Sequence, residues 1–383
     1  MPSRYLQLVV KVSKFCNLRC RYCYEYPSLS DRTSMSNEQI ASMLRNLAKF
    51  VDGQPIQLEF VWHGGEPLLR PVAFYRQILE DQHEILGAAG IQFSNSIQTN
   101  LTVLNPERID LIKEMFEEIG VSVDLFGANR VDSRGRDAQA RVLNHMQTLI
   151  DNDINFGCIS VLSQSTAPHV DEIYDFFEEL DLSFRLLPIY RTGYDGQLTG
   201  HALAPETIVA ALKRAADRWL ASNRFIRVEP VCTYVAQVVR ALSRDSKGRS
   251  TYDKEDGEVI FIVDTDGSVY SNGDAYDSRL CHGNIFTESV QHMRQSAGFR
   301  QALQESRDRV TSACCTCPYF GACTGFIMGE ATPEQRWSVD HRLSCAVARP
   351  MHEYIEGRLR ALGLIKTPDL LDGRELYRRA FAA

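Results

Sequence analysis

Residues 14–27 read KFCNLRCRYCYEYP and place three cysteines at positions 16, 20 and 23, directly after the apolar run LQLVVKV at residues 6–12. An apolar, β-branched run that gives way to a polar loop is typical of a buried strand and the turn that ends it. Three thiols so close together in one loop can bind a single inorganic group. The stretch therefore predicts a metal or iron–sulfur centre at the carboxyl end of the first strand.

The composition is that of an ordinary globular protein with many cysteines. The 383 residues are 44% hydrophobic and 24% charged, and the net charge of −7 argues against a nucleic-acid partner. No apolar run is long enough to span a membrane, and the first ten residues lack the order of a signal peptide, so we expect a cytoplasmic protein without a membrane partner. Because the cytosol keeps thiols reduced, the 11 cysteines suit metal binding better than disulfides.

Six apolar runs alternate with amphipathic segments along the first part of the chain. The runs are LQLVVKV, IQLEFVW, FSNSIQT, GVSVDLF, FGCISVL and LSFRLLPI. Helices are predicted at about residues 36–51, 71–87, 106–118, 136–152, 168–180 and 204–222. This alternation predicts an α/β fold, a partial (β/α)6 barrel with its site at the carboxyl ends of parallel strands.

A different pattern is expected from RFIRVEP at residues 224–230 onward, where the alternation stops. EVIFIVDTDGSVYSN predicts a hairpin that turns at Asp266-Gly267, and a cysteine-rich stretch and a final helix at 349–361 follow. We therefore predict a barrel domain at 1–224 and a cysteine-rich α+β auxiliary domain with a C-terminal helix at 225–383.

The motif WHGGEP, at residues 62–67, ends the second predicted strand. Paired glycines let the backbone approach a ligand closely, and Glu66 with nearby carbonyls can accept hydrogen bonds from an ammonium group. By itself the motif is equally compatible with a plain strand-to-helix turn.

CNLRCRYC together with GGEP resembles the radical S-adenosylmethionine (SAM) enzymes. The late cysteines resemble the SPASM auxiliary-cluster domain, and WHGGEPLL, SIQTN, GVSVD and the CxxCPYxxxC pattern are most similar to the peptide-modifying branch, which includes sulfatase maturases and maturases of ribosomally made peptides. The resemblance implies SAM and a [4Fe–4S] cluster as cofactors. The cluster would be held by Cys16, Cys20 and Cys23. The amino and carboxylate groups of SAM would chelate its fourth iron.

The resemblance also implies roles for further residues. Tyr22 would flank the adenine, and the amino group of SAM would be bound by Gly64, Gly65 and Glu66. The ribose and carboxylate of SAM would lie near Gln98, Asn100, Ser122 and Arg134. Gln98 and Ser122 could instead satisfy local backbone groups. A proton acceptor is expected in SVYSNGDAYD, where the candidate is Asp274, although an Asp after Asn-Gly is often a turn residue.

A single auxiliary [4Fe–4S] cluster is predicted for the C-terminal domain, with the ligands Cys314, Cys317, Cys323 and Cys345. The related domain draws a second cluster partly from positions that here read Ser271-Asn272 and Ile327. Cys281 alone cannot build that cluster, even if Cys232 is recruited. Two alternatives remain: Cys315 could replace Cys314, and the four thiols could form a zinc knuckle.

The function implied is a radical SAM maturase that oxidatively modifies a ribosomally made peptide, with a carbon–carbon cross-link (cyclophane) as the predicted product. A sulfatase maturase that forms formylglycine is the nearer alternative, and a non-catalytic zinc or electron-transfer protein is the alternative of another class. The expected partners are a precursor peptide and an electron donor of the flavodoxin or ferredoxin type. Because the first strand begins so early, we expect no N-terminal leader-binding domain, so that recognition falls to the barrel, the C-terminal domain or a separate leader-binding protein.

Overall fold

The computed structural model describes residues 4–189, 200–243, 250–257, 260–366 and 370–371. The chain forms two compact units, each assembled from separated stretches. The first comprises Met1–Val123, Ala128–Phe156 and Glu255–Gln304, and the second comprises Asp124–Gly127, Gly157–Lys254 and Glu305–Ala383. These units do not divide the chain at residue 225, and the predicted domain boundary, which was drawn from the sequence pattern, stays a prediction.

Four strands alternate with four helices in the first unit. In chain order they are β1 (Arg4–Lys11), α1 (Asn37–Val51), β2 (Ile56–His63), α2 (Val72–Gln82), β3 (Phe93–Thr99), α3 (Pro106–Met115), β4 (Glu118–Ser122) and α4 (Gln139–Asp151). The strands pair in parallel in the order β1, β2, β3, β4. A capping box begins α1, in which Ser36 and Gln39 exchange side-chain-to-backbone hydrogen bonds.

These strands have one apolar and one polar face. Leu8, Phe60 and Trp62 lie on the apolar face and are at most 2% exposed. The other face carries Lys11 at the end of β1, and its register partner on β2 is His63. On β3 the same row continues with Gln98, because the residue before it, Ile97, is the register partner of Trp62. Because side chains alternate along a strand, the polar residues at these three strand ends share one face. That face is suited to a polar ligand.

The second unit contains β5 (Gly157–Leu162), α5 (Val170–Glu179), β6 (Phe184–Pro188), α6 (Pro205–Ala221), β7 (Val228–Glu229) and α7 (Val231–Leu242). β5, β6 and β7 pair in parallel. The six predicted strand–helix pairs are all present. The expectation that the alternation stops at residue 224 is wrong, because β7 and α7 form a seventh strand–helix pair. A two-residue strand is too short to show a recognisable pattern in the sequence.

The predicted hairpin is confirmed. It follows the short helix α8 (Lys254–Gly257) and consists of β8 (Ile260–Val263) and β9 (Ser268–Ser271), which pair antiparallel, with β10 (Gly283–Asn284) beside β9. Asp266 accepts a hydrogen bond from the Ser268 N–H at 2.9 Å, and Gly267 takes the left-handed conformation of the turn at φ +90°. β8 pairs in parallel with β1, which places the hairpin next to the first strand.

The C-terminal part is built from short elements and two longer helices. They are α9 (Val290–Met293), α10 (Ala297–Cys314), α11 (Phe326–Gly329), β11 (Ser338–Val339), β12 (Arg342–Leu343), α12 (Ala348–Ala361), β13 (Ile365–Lys366) and β14 (Leu370–Leu371). α12 confirms the predicted final helix. In the described part of the chain, no helix combines the length and the apolar character needed to cross a membrane.

Candidate active site

The loop after β1 brings the three predicted cluster cysteines together. Cys16 and Cys20 are buried, and Cys23 packs against the same small apolar cluster, which also contains Leu18 and Leu29. The Cys16 N–H donates to the Leu29 carbonyl at 3.1 Å, and the Cys23 N–H donates to the Cys20 carbonyl at 3.0 Å. The three cysteines therefore share one small apolar cluster within this loop.

The Gly-Gly-Glu-Pro turn after β2 lies directly against this loop. The Gly65 N–H donates to the Ser13 carbonyl at 2.8 Å, and the Glu66 N–H donates to the Phe15 carbonyl at 3.0 Å. A Cβ on Gly64 would lie 2.3 Å from the Ser13 carbonyl oxygen, and a Cβ on Gly65 would lie 2.4 Å from the carbonyl oxygens at 14 and 15. The close approach that these glycines permit is thus to the cysteine loop itself, a role that the sequence analysis did not foresee.

Glu66 is fully engaged by the protein. Its carboxylate is 1% exposed and accepts hydrogen bonds from the Leu68 N–H at 2.9 Å, the Thr99 hydroxyl at 2.7 Å and the Asn100 N–H at 2.7 Å. Burial raises its pKa, and the three donors act in the opposite direction. The carboxylate therefore joins the ends of β2 and β3. The prediction that it binds an ammonium group stays a prediction.

Asn100 connects the end of β3 to the cysteine loop. Its amide nitrogen lies 3.6 Å from the Cys16 sulfur and donates to the Asn17 side chain at 3.1 Å. Its side-chain oxygen accepts from the Thr102 N–H at 2.9 Å, which fixes the orientation of the amide. Hydrogen bonds to a ligand sulfur are one of the means by which a protein tunes an iron–sulfur cluster.

Gln98 and Ser122 form a pair on the polar face of the sheet. The Gln98 amide donates to the Ser122 hydroxyl at 2.9 Å. It reaches across β4 only because Gly120 has no side chain, since a Cβ there would lie 2.1 Å from the Gln98 amide oxygen. The two side chains bond to each other and not to the local backbone groups that the sequence analysis had kept as an alternative, and the prediction that they bind a polar cofactor stays a prediction.

Arg130 is the site residue that sequence reasoning missed. It is 8% exposed, and its guanidinium donates to the Tyr22 hydroxyl at 2.9 Å. Its positive charge opposes the burial that raises the pKa values of Cys16 and Glu66. Arg134, the predicted carboxylate ligand, is exposed in a turn where its N–H donates to Asp132. The geometry favours Arg130 over Arg134, and the sequence signal for it was its nearness to the end of β4.

The residues of this site fit an iron–sulfur cluster and a zwitterionic cofactor. Burial raises the pKa values of Cys16 and Cys23 to about 12, so both thiols keep their protons at neutral pH until a metal displaces them. Among the described residues, no three Cys, His, Asp or Glu side chains converge on one metal-ion position. A cluster spreads its ligands more widely than a single ion does. The fit therefore rests on three thiols in one loop, with the buried Arg130 guanidinium beside them.

Asp274, the predicted proton acceptor, lies in a short 3-10 turn directly after β9. It is 2% exposed, and its backbone carbonyl accepts from the Asp277 N–H at 3.2 Å. Both readings of this residue therefore have support, because it belongs to a turn and its carboxyl group is nevertheless buried. Its role in proton transfer stays a prediction.

A second group of cysteines lies in the other unit. Burial, together with the nearby thiols of Cys345, Cys323 and Cys317, raises the pKa of Cys314 to about 12. Cys314 is buried at the end of α10, whereas Cys315 is exposed, which supports Cys314 as the ligand. Burial raises the pKa of Cys345 to about 11, and the backbone N–H groups of Arg349 and Ala348, in the first turn of α12, act in the opposite direction. Backbone donors of this kind stabilise a thiolate.

The remaining candidate cysteines are engaged elsewhere. The Cys281 thiol lies 3.7 Å from the Gly283 carbonyl oxygen, and the buried Cys232 sulfur accepts from the Val228 N–H at 3.3 Å. Ser271, at the hairpin position where the related domain has a cysteine, pairs with His282 at 3.2 Å. The number of auxiliary clusters, one, stays a prediction.

Comparison with known proteins is consistent with this geometry. Residues 10–177 match the Radical SAM superfamily. The chain is 27% identical over 375 residues to the cysteine-type anaerobic sulfatase-maturating enzyme of Clostridium perfringens strain 13, covering 92% of this chain and 97% of that protein. It is 25% identical over 354 residues to the serine-type anaerobic sulfatase-maturating enzyme of Bacteroides thetaiotaomicron, covering 84% and 82% of the two chains.

Two solved structures share the fold. Native anSMEcpe with bound AdoMet and the Cp18Cys peptide has a TM-score of 0.71 at 22% identity, covering 94% of this chain and 98% of that one. Streptococcus suis SuiB bound to S-adenosylmethionine has a TM-score of 0.57 at 13% identity, covering 86% and 76%. The predicted fold class, an α/β partial barrel with a C-terminal cysteine-rich domain, is confirmed.

Proposed function

This chain is a radical SAM enzyme, and we propose that it oxidises a side chain of a peptide or protein substrate. The observation that carries the proposal is the junction of three motif segments around the cysteine loop. The Gly-Gly-Glu turn is hydrogen-bonded to the backbone at 13 and 15, and Asn100 reaches the Cys16 sulfur. The relatives matched over most of both chains act on sulfatases by name, which supports a peptide or protein substrate.

The cluster and SAM, when bound, supply a 5′-deoxyadenosyl radical that can take a hydrogen atom from an unactivated carbon. The cysteine loop would hold the cluster through Cys16, Cys20 and Cys23. The Arg130 guanidinium would bind the carboxylate of the cofactor, and Tyr22, whose hydroxyl accepts a hydrogen bond from Arg130, would lie beside the adenine. These residues would bind and orient the cofactor, and the cofactor would supply the radical chemistry.

Asp274 would take up the proton that the oxidised substrate releases. Its burial after β9 keeps bulk water from competing for that proton, which is the setting in which a carboxylate acts as a general base. The four cysteines of the second group would hold an auxiliary cluster. An electron donor of the flavodoxin or ferredoxin type and a separate leader-binding protein complete the proposal, and a cytoplasmic location stays a prediction.

Formylglycine formation is better supported than the predicted cross-link. Relatives of both the cysteine type and the serine type match more than four fifths of this chain. The likeness to SuiB, at 13% identity, supports the fold alone. We therefore place oxidation of a peptidyl cysteine or serine to an aldehyde first, and cross-link formation second.

The test is an anaerobic reaction of the reconstituted enzyme with SAM, a reductant and three sulfatase-derived peptides that carry Cys, Ser or Ala at the target position. We expect 5′-deoxyadenosine and a peptide aldehyde that reacts with an aminooxy probe. The Cys and Ser peptides should each lose two hydrogens, and in the Cys peptide water should also replace the sulfur by oxygen, with release of sulfide. A product that has lost two hydrogens but does not react with the probe would support the cross-link instead. Cofactor cleavage with no change in any peptide would contradict a sulfatase-type substrate.

A further inference from the structure

A buried charged network joins the segment after Cys23 to the segment that carries Asp274. Lys11, at the end of β1, forms an ion pair with Glu25, and its ammonium group also donates to the Tyr24 hydroxyl at 3.3 Å. The Tyr276 hydroxyl donates to the same Glu25 carboxylate at 2.9 Å. The Lys11 and Glu25 side chains are only 5% and 11% exposed. Two stretches that are 251 residues apart in sequence thus meet at one carboxylate.

Aromatic contacts close the network. The Lys11 ammonium lies 4.3 Å from the centre of the Tyr276 ring and 5.0 Å from that of Tyr24. The two rings are 6.5 Å apart. Cation–π contacts are strongest where the cation is desolvated, as it is here. The ammonium is thereby held on several sides, and neither Glu25 nor Tyr276 can move without disturbing it.

Glu25 is also connected to the cluster loop through its backbone. It lies two residues after Cys23, and the next residue, Tyr26, donates its N–H to the Cys23 carbonyl at 3.1 Å. Tyr276 is only two residues after Asp274 and adopts a positive φ of 70°. A non-glycine residue in that conformation needs the surrounding structure to hold it. Glu25 therefore follows a proposed cluster ligand closely in the chain, and its carboxylate contacts the segment of the proposed base through Tyr276.

Stability alone is a poor explanation for this network. Buried ion pairs often contribute little net stability, because desolvation of the two charges offsets their attraction. Their better attested use is to fix one geometry among several. We propose that Glu25 is a positioning residue that fixes the Asp274 segment relative to the cluster loop. The substrate molecule that loses a hydrogen atom to the cofactor radical is then also placed to lose a proton to Asp274. The proposal rests on the proposed function.

The first test needs no substrate. Hydrogen–deuterium exchange of the cluster-loaded protein is compared for wild type, Glu25→Gln and Tyr276→Phe, with Tyr26→Phe, an exposed tyrosine of the same loop, as the control. We expect Glu25→Gln to speed exchange at residues 272–280 and Tyr276→Phe to speed it at residues 16–26, each far from the substituted position in sequence. The double variant should exchange no faster than Glu25→Gln, because both act through one contact. Unchanged exchange would overturn the proposal.

The second test measures coupling. The ratio of 5′-deoxyadenosine to modified peptide should rise about tenfold in Glu25→Gln, since small errors in position are costly in catalysis, while iron content stays at the wild-type value. Loss of iron in both variants would show a merely structural role and overturn the proposal. If wild type modifies no peptide, the proposed function fails, and the exchange experiment still decides whether the network holds the segment.

Discussion

Replacing Gly65 by alanine should separate the turn after β2 from the cysteine loop. The added Cβ would lie 2.4 Å from two backbone carbonyl oxygens, which cannot move aside as a flexible side chain could. Relieving this overlap breaks the bonds from the N–H groups of Gly65 and Glu66 to the carbonyls of Ser13 and Phe15. We expect the free energy of unfolding to fall by about 3 kcal/mol, from about 1 kcal/mol for each of the two hydrogen bonds and about 1 kcal/mol or more for overpacking.

Urea unfolding of the apo protein measures this loss, and iron content with 5′-deoxyadenosine production measures its effect on the site. Gly357→Ala is the matched control, because a Cβ at this helical position meets nothing within 4 Å. It should leave stability unchanged or raise it by about 0.5 to 1 kcal/mol, the usual gain for alanine in a helix. If Gly65→Ala kept the wild-type stability and full cofactor cleavage, the steric reasoning would be wrong.

Three further predictions concern the clusters, the base and pH. Loss of any one thiol of the first cluster should abolish cofactor cleavage, and the triple alanine variant should keep about four irons per chain by iron analysis; the thiols are those of Cys16, Cys20 and Cys23. About eight irons would restore a second auxiliary cluster, and almost none would remove the auxiliary cluster. Asp274→Asn should lower product formation while cofactor cleavage continues, as measured by chromatography of both products, and equal loss of the two would count against its role. Burial holds the pKa values of His63 and His352 at about 4, so the unfolded chain takes up protons that the folded chain does not as pH falls from 6.5 to 4. Unfolding free energy from urea titrations should therefore fall over that range, and a slope unchanged in His63→Gln combined with His352→Gln would contradict this origin.

The regular elements could be predicted from the sequence because their signal is periodic and local. All six strand–helix pairs have runs long enough to show apolar alternation or an amphipathic face. The hairpin turn at Asp266-Gly267 also has its own chemistry. β7, with two residues, carries no such signal, and only its pairing with β6 defines it as a strand.

The cysteine loop could be predicted because three thiols at short spacing are a rare pattern. The contacts of the other site residues depend on long-range geometry that spacing does not contain. Arg130 and Arg134 have the same chemistry and lie four residues apart, and only burial distinguishes them. The role of Glu25 depends on Tyr276, which no local pattern connects to it.

The three donors to Glu66 affect how substitutions in this motif should be interpreted. The Glu66 carboxylate accepts hydrogen bonds from Leu68, Thr99 and Asn100 and so links the end of β2 to the end of β3. Replacing it would loosen the loops before any ligand arrives. In a mutational scan, a Glu66 variant would therefore lose activity through a folding defect as well as through any loss of cofactor binding, and only a separate stability measurement would distinguish the two.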